Sequence, residues 1–389
     1  MKKQLLLIIA LSFFIKVLPQ NESFTGSWLL YKITDNNKTA MPYYPVIFSS
    51  EGKMLINGRE LASWKTDNKT ITFTSDIKDL SGKAKLIRVN QSELIYQKDK
   101  QTFYYKKYDP EAVKNDETYQ KLLGVWKMSG EAITLNKLDG SGNFTQLVID
   151  NGGTITSKAQ YLYVPGEKTI VVQGDVEVLR GASKILNINA EYMELEQNDI
   201  QYQLEKIPLI NQVEHLGFTY EDIEENLSEP TELPWNNENL FENLSQTKKI
   251  YYRRATYYQE VSAFVYSDIL SEPVIDESND KITLVNYLVK DEEPVKESET
   301  VKAGLYNSYN LFFPQKELEI FRVVNKNEQM EIDGVRYLCT VVEGMDGDTK
   351  IKFWMINDKP GIFAKIIKDN NNEFGISFYQ KMELISIEK

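Results

Sequence analysis

Residues 24–32 read FTGSWLLYK and residues 121–130 read KLLGVWKMSG, so the chain contains two Gly-x-Trp motifs, each followed by a strand-like run. The motifs begin at Gly26 and Gly124, which are 98 positions apart. A repeat on this scale indicates that the 389-residue chain is built from copies of one domain rather than around a single large core.

The similarity between the two copies extends beyond the motifs. Shifted by 99 positions, KTITFTSDIKDLSGKAKLIRVN (residues 69–90) lies over KTIVVQGDVEVLRGASKILNIN (residues 168–189) without a gap. In the same alignment Trp64 falls on Tyr163. The change of offset from 98 to 99 indicates one insertion or deletion between the motif and the later strands. The sequence therefore predicts a duplicated domain.

Each copy has the pattern of an all-β domain. Apolar and polar residues alternate in MELEQ (residues 193–197) and in QYQLE (residues 201–205), as they do in strands with one buried face. Turn signals such as SSEGK, LDGSGN and VPGEK separate these runs at regular intervals. The predicted fold class is mainly β, with a small antiparallel barrel in each copy.

The order of these signals resembles the short lipocalin-like domains of exported bacterial proteins. In each copy a Gly-x-Trp motif is followed by a hairpin, then by a lone aromatic residue (Trp64 or Tyr163) before Lys-Thr-Ile, and last by an aromatic strand. The resemblance covers residues 23–108 and 117–207. It implies two lipocalin-like β-barrels in tandem, with a small hydrophobic ligand in the barrel mouth.

The predicted organisation has five parts. Residues 1–20 form a signal peptide, residues 21–108 the first barrel, residues 109–117 a linker with a lead-in helix, residues 118–207 the second barrel, and residues 208–389 a C-terminal α+β domain. In the last part, helical spacing is expected from Leu209 to Ile223. The strand-like runs that follow predict a curved antiparallel sheet that ends in a four-stranded meander.

Aromatic residues are the candidates for ligand contact. A domain of about 90 residues divided among eight strands leaves roughly 5–7 residues per strand, and such a barrel is filled largely by its own side chains. We therefore expect these aromatic residues to plug the barrels, and the alternative is direct contact with a weakly bound apolar ligand. The candidates are Trp28, Tyr31, Trp64, Trp126 and Tyr163.

Catalytic and metal-binding patterns do not emerge from the sequence. The chain has one histidine, His215, and one cysteine, Cys339, too few for the usual zinc sites or for a recognisable triad. Both are expected to be structural. Asp139 begins a DGSGN run that resembles a calcium loop, but Phe144 occupies the position where such a loop needs glycine, so a β-turn is predicted. We predict no catalytic residue, no metal and no cofactor.

The charge of the chain disfavours nucleic acid as a partner. The formal net charge is −12, and the basic clusters YYKKY and YYRRA lie inside predicted strands. Tyrosine doublets such as Tyr43-Tyr44 place one ring on each face of a strand, so a protein partner is a further expectation.

The N-terminus predicts export. Lys2 and Lys3 precede an apolar run from Leu5 to Ile15, which is too short to span a bilayer but suits a signal peptide. Cleavage is expected near Gln20, and an uncleaved anchor is the alternative. Because no cysteine follows the run, a lipoprotein is not expected. After signal removal we expect a periplasmic or secreted protein with no integral membrane segment.

These patterns predict an exported, non-enzymatic binding or interaction protein. The alternative is a periplasmic lipid carrier or a hydrolase whose site lies in the C-terminal domain. A hydrolase predicts polar groups converging on a pocket of that domain, and a carrier predicts a wide apolar concavity.

Overall fold

The computed structural model describes residues 24–36, 38–67, 69–128, 130, 132–150, 153–225, 232–276, 281–290, 293–300, 320–371 and 377–389. The predicted signal peptide lies outside these residues. Contacts between Cα atoms divide the chain into two compact units. Among the described residues, one unit comprises those between 24 and 122, 161–173 and 179–186, and the other comprises those between 123 and 160, 174–178 and those between 187 and 389.

The first nine strands form a closed antiparallel barrel. They are β1 (Gly26–Asp35), β2 (Lys38–Ala40), β3 (Tyr44–Phe48), β4 (Lys53–Ile56), β5 (Arg59–Thr66), β6 (Thr70–Thr74), β7 (Gly82–Val89), β8 (Glu93–Lys98) and β9 (Gln101–Lys107). Eight of them follow one another around the barrel, and pairing of β9 with β1 closes it. Strand β2 pairs with the far end of β1.

The Gly-x-Trp motif occupies the closing seam of the first barrel. Trp28 lies opposite Lys107 of β9, and the Lys107 ammonium lies 4.5 Å from the centre of the indole ring. Gly26 has φ +116°, and a Cβ atom there would lie 2.5 Å from Lys107 Nζ. Glycine therefore permits both the backbone conformation and the close approach of the lysine. The indole Nε1 of Trp28 donates a hydrogen bond to the Phe24 carbonyl (2.9 Å).

Aromatic side chains fill the interior of this barrel. Six of these rings, those other than Trp28, pair with one another at 4.6–6.5 Å between centroids, which is the range of favourable aromatic pairs. Burial of this much apolar surface stabilises the barrel without any disulfide. The buried aromatic residues are Phe24, Trp28, Phe48, Trp64, Phe73, Tyr96 and Tyr105.

Two short helices link the barrels, α1 (Pro110–Lys114) and α2 (Glu117–Leu122). The Asp109 side chain caps α1 by accepting from the backbone amides of Glu111 and Ala112, and Pro110 occupies the first turn. The prediction of a helix leading into the second Gly-x-Trp motif is confirmed.

Eight strands form the second closed barrel. They are β10 (Gly124–Met128), β11 (Ile133–Leu138), β12 (Asn143–Asp150), β13 (Gly153–Val164), β14 (Thr169–Gln173), β15 (Gly181–Ile188), β16 (Tyr192–Gln197) and β17 (Ile200–Ile207). A 3₁₀ turn (Pro165–Glu167) precedes β14. The motif geometry of the first barrel recurs, since Trp126 lies opposite Lys206 and Gly124 has φ +128°.

Nine further strands form an antiparallel sheet that is not closed. They are β18 (Lys249–Tyr258), β19 (Ala263–Asp276), β20 (Lys281–Lys290), β21 (Glu293–Thr300), β22 (Ile320–Ile332), β23 (Val335–Asp346), β24 (Thr349–Ile356), β25 (Phe363–Asn371) and β26 (Ser377–Glu388). The strand order is β21-β20-β19-β18-β26-β25-β24-β23-β22. The predicted meander of the last four strands is confirmed, as is the mainly β fold class.

One face of the C-terminal sheet is covered by a helix and a tryptophan. Helix α4 (Asn237–Ser245) follows α3 (Tyr220–Glu224) and buries Leu240 and Leu244 against the sheet. Trp235 donates a hydrogen bond from Nε1 to the Ile356 carbonyl (2.7 Å). Gly361 has φ +88°, and a Cβ there would lie 2.8 Å from a Leu244 methyl group, so only glycine allows this close approach.

The prediction of a helix before α3 is wrong. Residues 208–219 have no helical turn, although their apolar residues have helical spacing. The buried Asp369 carboxylate accepts from the Leu216 amide (2.7 Å) and bonds His215 Nδ1 (2.9 Å). These contacts take the place of intrahelical hydrogen bonds. In the described part of the chain no helix is both long enough and apolar enough to cross a membrane.

Candidate functional site

The second barrel has a short closing seam. Strand β10 is five residues long and pairs with β17 at three positions, the last of which joins Lys127 to Glu205. In the first barrel the corresponding seam joins β1 to β9 over seven residue pairs. The second barrel is therefore less tightly closed beside the segment of β17 that precedes Glu205.

A cavity of about 890 Å³ lies at this end of the second barrel. Its lining combines apolar, aromatic and polar side chains, which is typical of sites for small molecules. The uncharged lining residues include Met128, Thr134, Val178, Tyr192, Tyr202 and Leu204. Charged Lys127, Glu191 and Glu205 line it as well.

Smaller side chains distinguish this interior from that of the first barrel. At the offset of 99, Leu195 and Leu204 take the positions of Tyr96 and Tyr105. In the first barrel these two tyrosines are buried, stack at 5.6 Å and share a hydroxyl–hydroxyl hydrogen bond of 2.9 Å. Leu204 lines the cavity of the second barrel. At the position of Leu204, loss of an aromatic ring therefore leaves volume that Tyr105 fills in the first barrel, whereas Leu195 is not among the residues that line the cavity.

A buried polar network lies on β11 and β12 of the second barrel. Gln146 Oε1 accepts from the backbone amides of Glu177 (2.9 Å) and Val178 (3.2 Å), which fixes the orientation of its amide. Gln146 Nε2 then donates to Asn136 Oδ1 (2.8 Å) and to the Val178 carbonyl (3.0 Å). Among the described residues, Asn136 Nδ2 has no hydrogen-bond partner. The hydrogen bond from Gln146 thus orients the Asn136 amide, and the Asn136 Nδ2 donor is held in a fully buried position.

The outward residues of the same two strands explain why Asn136 and Gln146 point inward. Leu135 and Leu147 pack with Val261 and Ala263 of the C-terminal segment. Side chains alternate along a strand. Asn136, which follows Leu135, and Gln146, which precedes Leu147, therefore face the barrel interior. Sequence reasoning missed both residues, since alternation alone assigns leucine to the interior and the polar residues to water.

The candidate residues of the first barrel fall into two groups. Trp28 and Trp64 are buried in the aromatic core, and both contact Phe24, Trp28 through its hydrogen bond to the Phe24 carbonyl and Trp64 through its ring at 4.6 Å. Tyr31 is half-buried and packs in a different cluster with Leu29. The three candidates therefore do not line one common space, and ligand contact by any of them stays a prediction.

The candidates of the second barrel are also buried. Trp126 is fully buried beneath the Lys206 ammonium, which lies 4.9 Å from the ring centre. Burial lowers the pKa of Lys206, as it does the pKa of Lys107 in the first barrel. Tyr163 is 2% exposed, and burial raises the pKa of its hydroxyl. Neither aromatic residue is among those that line the cavity of about 890 Å³.

The single cysteine and the calcium-like loop have structural settings. Cys339 is fully buried, and burial raises the pKa of its thiol to about 12, as expected for an inert side chain. Asp139 accepts from the amides of Ser141 (2.8 Å) and Asn143 (2.9 Å), which confirms the predicted turn. Within the described residues no group of three or more His, Cys, Asp or Glu side chains is placed to hold a metal ion.

The single histidine borders a second cavity, on the C-terminal sheet. This cavity has a volume of about 740 Å³ and is lined by His215 together with charged residues of β22 to β26. Polar groups therefore converge on a cavity of the C-terminal domain, which is the feature that the hydrolase alternative predicts.

No family model and no curated protein matches the chain. Among solved structures, a DUF3598-family protein of unknown function from Nostoc punctiforme is 8% identical, with a TM-score of 0.19, over 69% of this chain and 98% of that one. A putative DNA polymerase III beta subunit from Eubacterium rectale is 9% identical, with a TM-score of 0.15, over 95% and 93% of the two chains. TM-scores this low do not establish a shared fold.

Proposed function

We propose that the protein is an exported, non-enzymatic binding protein and that its second lipocalin-like barrel holds a small ligand. The observation that carries this proposal is the cavity of about 890 Å³ in the second barrel, where Leu204 replaces Tyr105 of the first. Cavities of roughly 300–1,000 Å³ are typical of sites for small molecules. The first barrel, filled by aromatic rings, acts as a rigid module.

Matching local structure supports duplication of one lipocalin-like domain. Strands β7 and β8 begin and end 99 positions before β15 and β16. The Leu86 amide donates to the Lys69 carbonyl (2.8 Å), and the Ile185 amide donates to the Lys168 carbonyl (2.7 Å) at the same offset. Asn90 and Asn189 cap the following turns in the same way. Agreement of strand bounds and turn contacts supports common descent more strongly than strand number alone.

The cavity lining suggests the character of the ligand. Met128, Val178 and Leu204 offer apolar surface, while the hydroxyls of Thr134 and Tyr202 offer hydrogen bonds. This combination suits a small, mainly apolar molecule that carries a polar group. The ligand of this proposal is therefore less purely hydrophobic than the lipocalin resemblance implies.

Filling the cavity tests the proposal. The double variant Leu195→Tyr/Leu204→Tyr installs the two tyrosines of the first barrel. Native mass spectrometry of the full chain, purified without detergent, is expected to show a bound small molecule in the wild type and not in the variant. Titration with the fluorescent probe 1-N-phenylnaphthylamine supplies a second readout. Leu204→Met, which nearly conserves volume, serves as the control and should retain binding.

Two results contradict the proposal. One is an unliganded wild-type mass together with no saturable binding of the probe. The other is wild-type probe binding by the filled variant once far-UV circular dichroism has shown that it is folded. Export is tested separately, by comparing the mass and cell fraction of the full-length chain with those of a variant in which Leu7 and Ile8 of the apolar run are changed to aspartate.

A hydrolase site in the C-terminal domain is the second candidate. The hydrogen bond from His215 Nδ1 to the buried Asp369 (2.9 Å) orients the imidazole beside the cavity of about 740 Å³, as required of a general base. Assays with 4-nitrophenyl acetate and 4-nitrophenyl phosphate test this candidate. Turnover that is lost in His215→Gln supports it, and equal rates for the wild type and the variant reject it.

A further inference from the structure

The C-terminal cavity has a floor of cationic side chains. It lies over one face of the sheet, where cross-strand register places residues of five neighbouring strands side by side. Its cationic lining residues are Arg322 of β22, Lys352 of β24, Lys365 of β25 and Lys381 of β26. Four cationic side chains thus lie together on one surface, although the chain as a whole has a net charge of −12.

Cross-strand register brings the first two cations together. Arg322 lies opposite Glu343, and Glu343 lies opposite Lys352. The Glu343 carboxylate accepts from both, at 3.1 Å from Arg322 Nη2 and 2.9 Å from Lys352 Nζ. Its side chain is 12% exposed. One carboxylate is therefore shared by two cations in a partly desolvated place, where charge interactions are stronger than in water.

The other two cations repeat this arrangement. Glu383 pairs with Lys365 at 3.2 Å and with Lys381 at 2.9 Å. Burial opposes ionisation of Glu383, yet the hydrogen bond from Lys381 and the charge of Lys365 hold its pKa below the usual value. The floor thus consists of two groups, in each of which two cations share one carboxylate.

Trp354 connects the two groups. The ammonium groups of Lys352 and Lys365 lie 5.3 Å and 5.4 Å from the centre of its ring. Its Nε1 donates to Glu328 Oε1 (2.7 Å), which fixes the ring. Cation–π contacts of this kind restrain both ammonium groups beside the cavity.

Two carboxylates besides Glu343 line the cavity, those of Glu214 and Asp222. The Asp222 carboxylate accepts from the Thr219 amide (2.8 Å) and so belongs to the cap of α3. The Asp222 carbonyl accepts from Arg322 Nη1 (2.8 Å), which holds the guanidinium at the cavity. Among the lining residues three carboxylates therefore face four cations, and Glu383, which does not line the cavity, is a fourth carboxylate that pairs with Lys365 and Lys381.

We propose that this cavity binds a small organic oxyanion, a phosphate or sulfate ester, independently of any ligand in the second barrel. Guanidinium and ammonium groups are the donors that proteins use for such groups. The volume of about 740 Å³ exceeds the need of an inorganic ion, so an uncharged organic part accompanies the oxyanion. Glu343 and Glu383 accept from the same donors and therefore compete with the ligand.

Isothermal titration calorimetry of the full chain tests this assignment with four probes: glucose 6-phosphate, glucose 6-sulfate, inorganic phosphate and neutral glucose. At least one ester is expected to bind, more tightly than inorganic phosphate and far more tightly than glucose. Binding should weaken as salt concentration rises, since charged contacts are screened. Preference between the two esters identifies which oxyanion the site favours.

Two variants with opposite expected effects exclude a merely structural explanation. Lys352→Met/Lys365→Met should weaken ester binding by about tenfold or more, because each lysine loses a charged hydrogen bond to the oxyanion. Glu343→Gln should tighten binding by about two- to fivefold, because a competing carboxylate is removed. Lys326→Met is the control, since Lys326 is exposed, pairs with Glu232 (3.6 Å) and is not among the cavity residues.

Three results overturn the assignment. These are no binding of either ester to the wild type, binding of glucose as tight as that of the esters, and weaker binding by a folded Glu343→Gln variant. Thermal unfolding of each variant establishes that it is folded. If a variant does not fold, the salt dependence and the contrast between glucose and its esters in the wild type decide the question by themselves.

Discussion

Trp28 in the first barrel pairs across β1 and β3 with Val46, an apolar neighbour within an aromatic core. Trp126 holds the corresponding place in the second barrel, but its partner on β11 is Asn136, which is hydrogen-bonded to Gln146. The same strand framework thus surrounds an apolar interior in one barrel and a partly polar interior in the other. Because the tryptophan, its lysine and the glycine recur in both, they belong to the framework, and ligand capacity depends on the residues around them.

The largest effect is expected from removing the framework tryptophans. Trp28→Ala and Trp126→Ala should each lower the free energy of unfolding by about 3–5 kcal/mol, because each leaves a large cavity in a fully buried place. Urea unfolding of the full chain, with hydrogen exchange of peptides from β1 and β10, measures the loss in each barrel. Wild-type protection of β1 in Trp28→Ala would contradict the assignment of Trp28 as a structural plug.

A smaller effect is expected from the polar network. Gln146→Leu removes the acceptor of the Glu177 and Val178 amides and the donor to Asn136, which should cost about 1–3 kcal/mol. Ile56 of the first barrel occupies the matching cross-strand position, and Ile56→Leu should cost less than about 1.5 kcal/mol. The same hydrogen-exchange measurement compares the two variants, and equal losses would show that the network adds nothing specific.

Alkaline pH should distinguish the barrels further. Burial raises the pKa of Tyr96 to about 12, and burial followed by the charge of Tyr96 raises the pKa of Tyr105 well above its usual value. The unfolded chain releases these protons near pH 10 while the folded barrel keeps them. The contribution of the two tyrosines to the free energy of unfolding is therefore fully present below pH 10. It falls as the pH rises toward 12, by about 1.4 kcal/mol per pH unit for each tyrosine.

Urea unfolding between pH 9 and pH 12 measures this dependence. Tyr96→Phe/Tyr105→Phe should flatten the pH dependence in the first barrel. The second barrel has Leu195 and Leu204 at these positions and should show no contribution from them. An unchanged slope in the phenylalanine variant would mean that the two hydroxyls ionise equally in the folded and unfolded states.

The smallest effect concerns the lysines over the tryptophans. Lys107→Met and Lys206→Met each remove a cation–π contact, of 4.5 Å and 4.9 Å respectively. Each should cost about 0.5–1 kcal/mol, and the two losses should be equal if the seam is a common framework. A clear difference between them, measured by urea unfolding, would assign the lysine a separate role in one barrel.

The sequence by itself determined the main features of the fold. The offset of 99 between residues 69–90 and 168–189 reappears in the bounds of matching strands, because alternation and turn residues act locally and equally in both copies. Burial of Trp28 and Trp126 followed from the size of their side chains in short strands. The final meander followed from its turn signals.

Only the tertiary structure decided what lies inside each barrel and on the C-terminal sheet. Strands β11 and β12 are buried on both faces, so alternation could not show that Asn136 and Gln146 face inward. The charged floor depends on register between strands far apart in sequence, such as Arg322 opposite Glu343. The contacts of Asp369 with His215 and Leu216 replaced a helix that local spacing favoured, because a buried carboxylate requires partners wherever the fold places it.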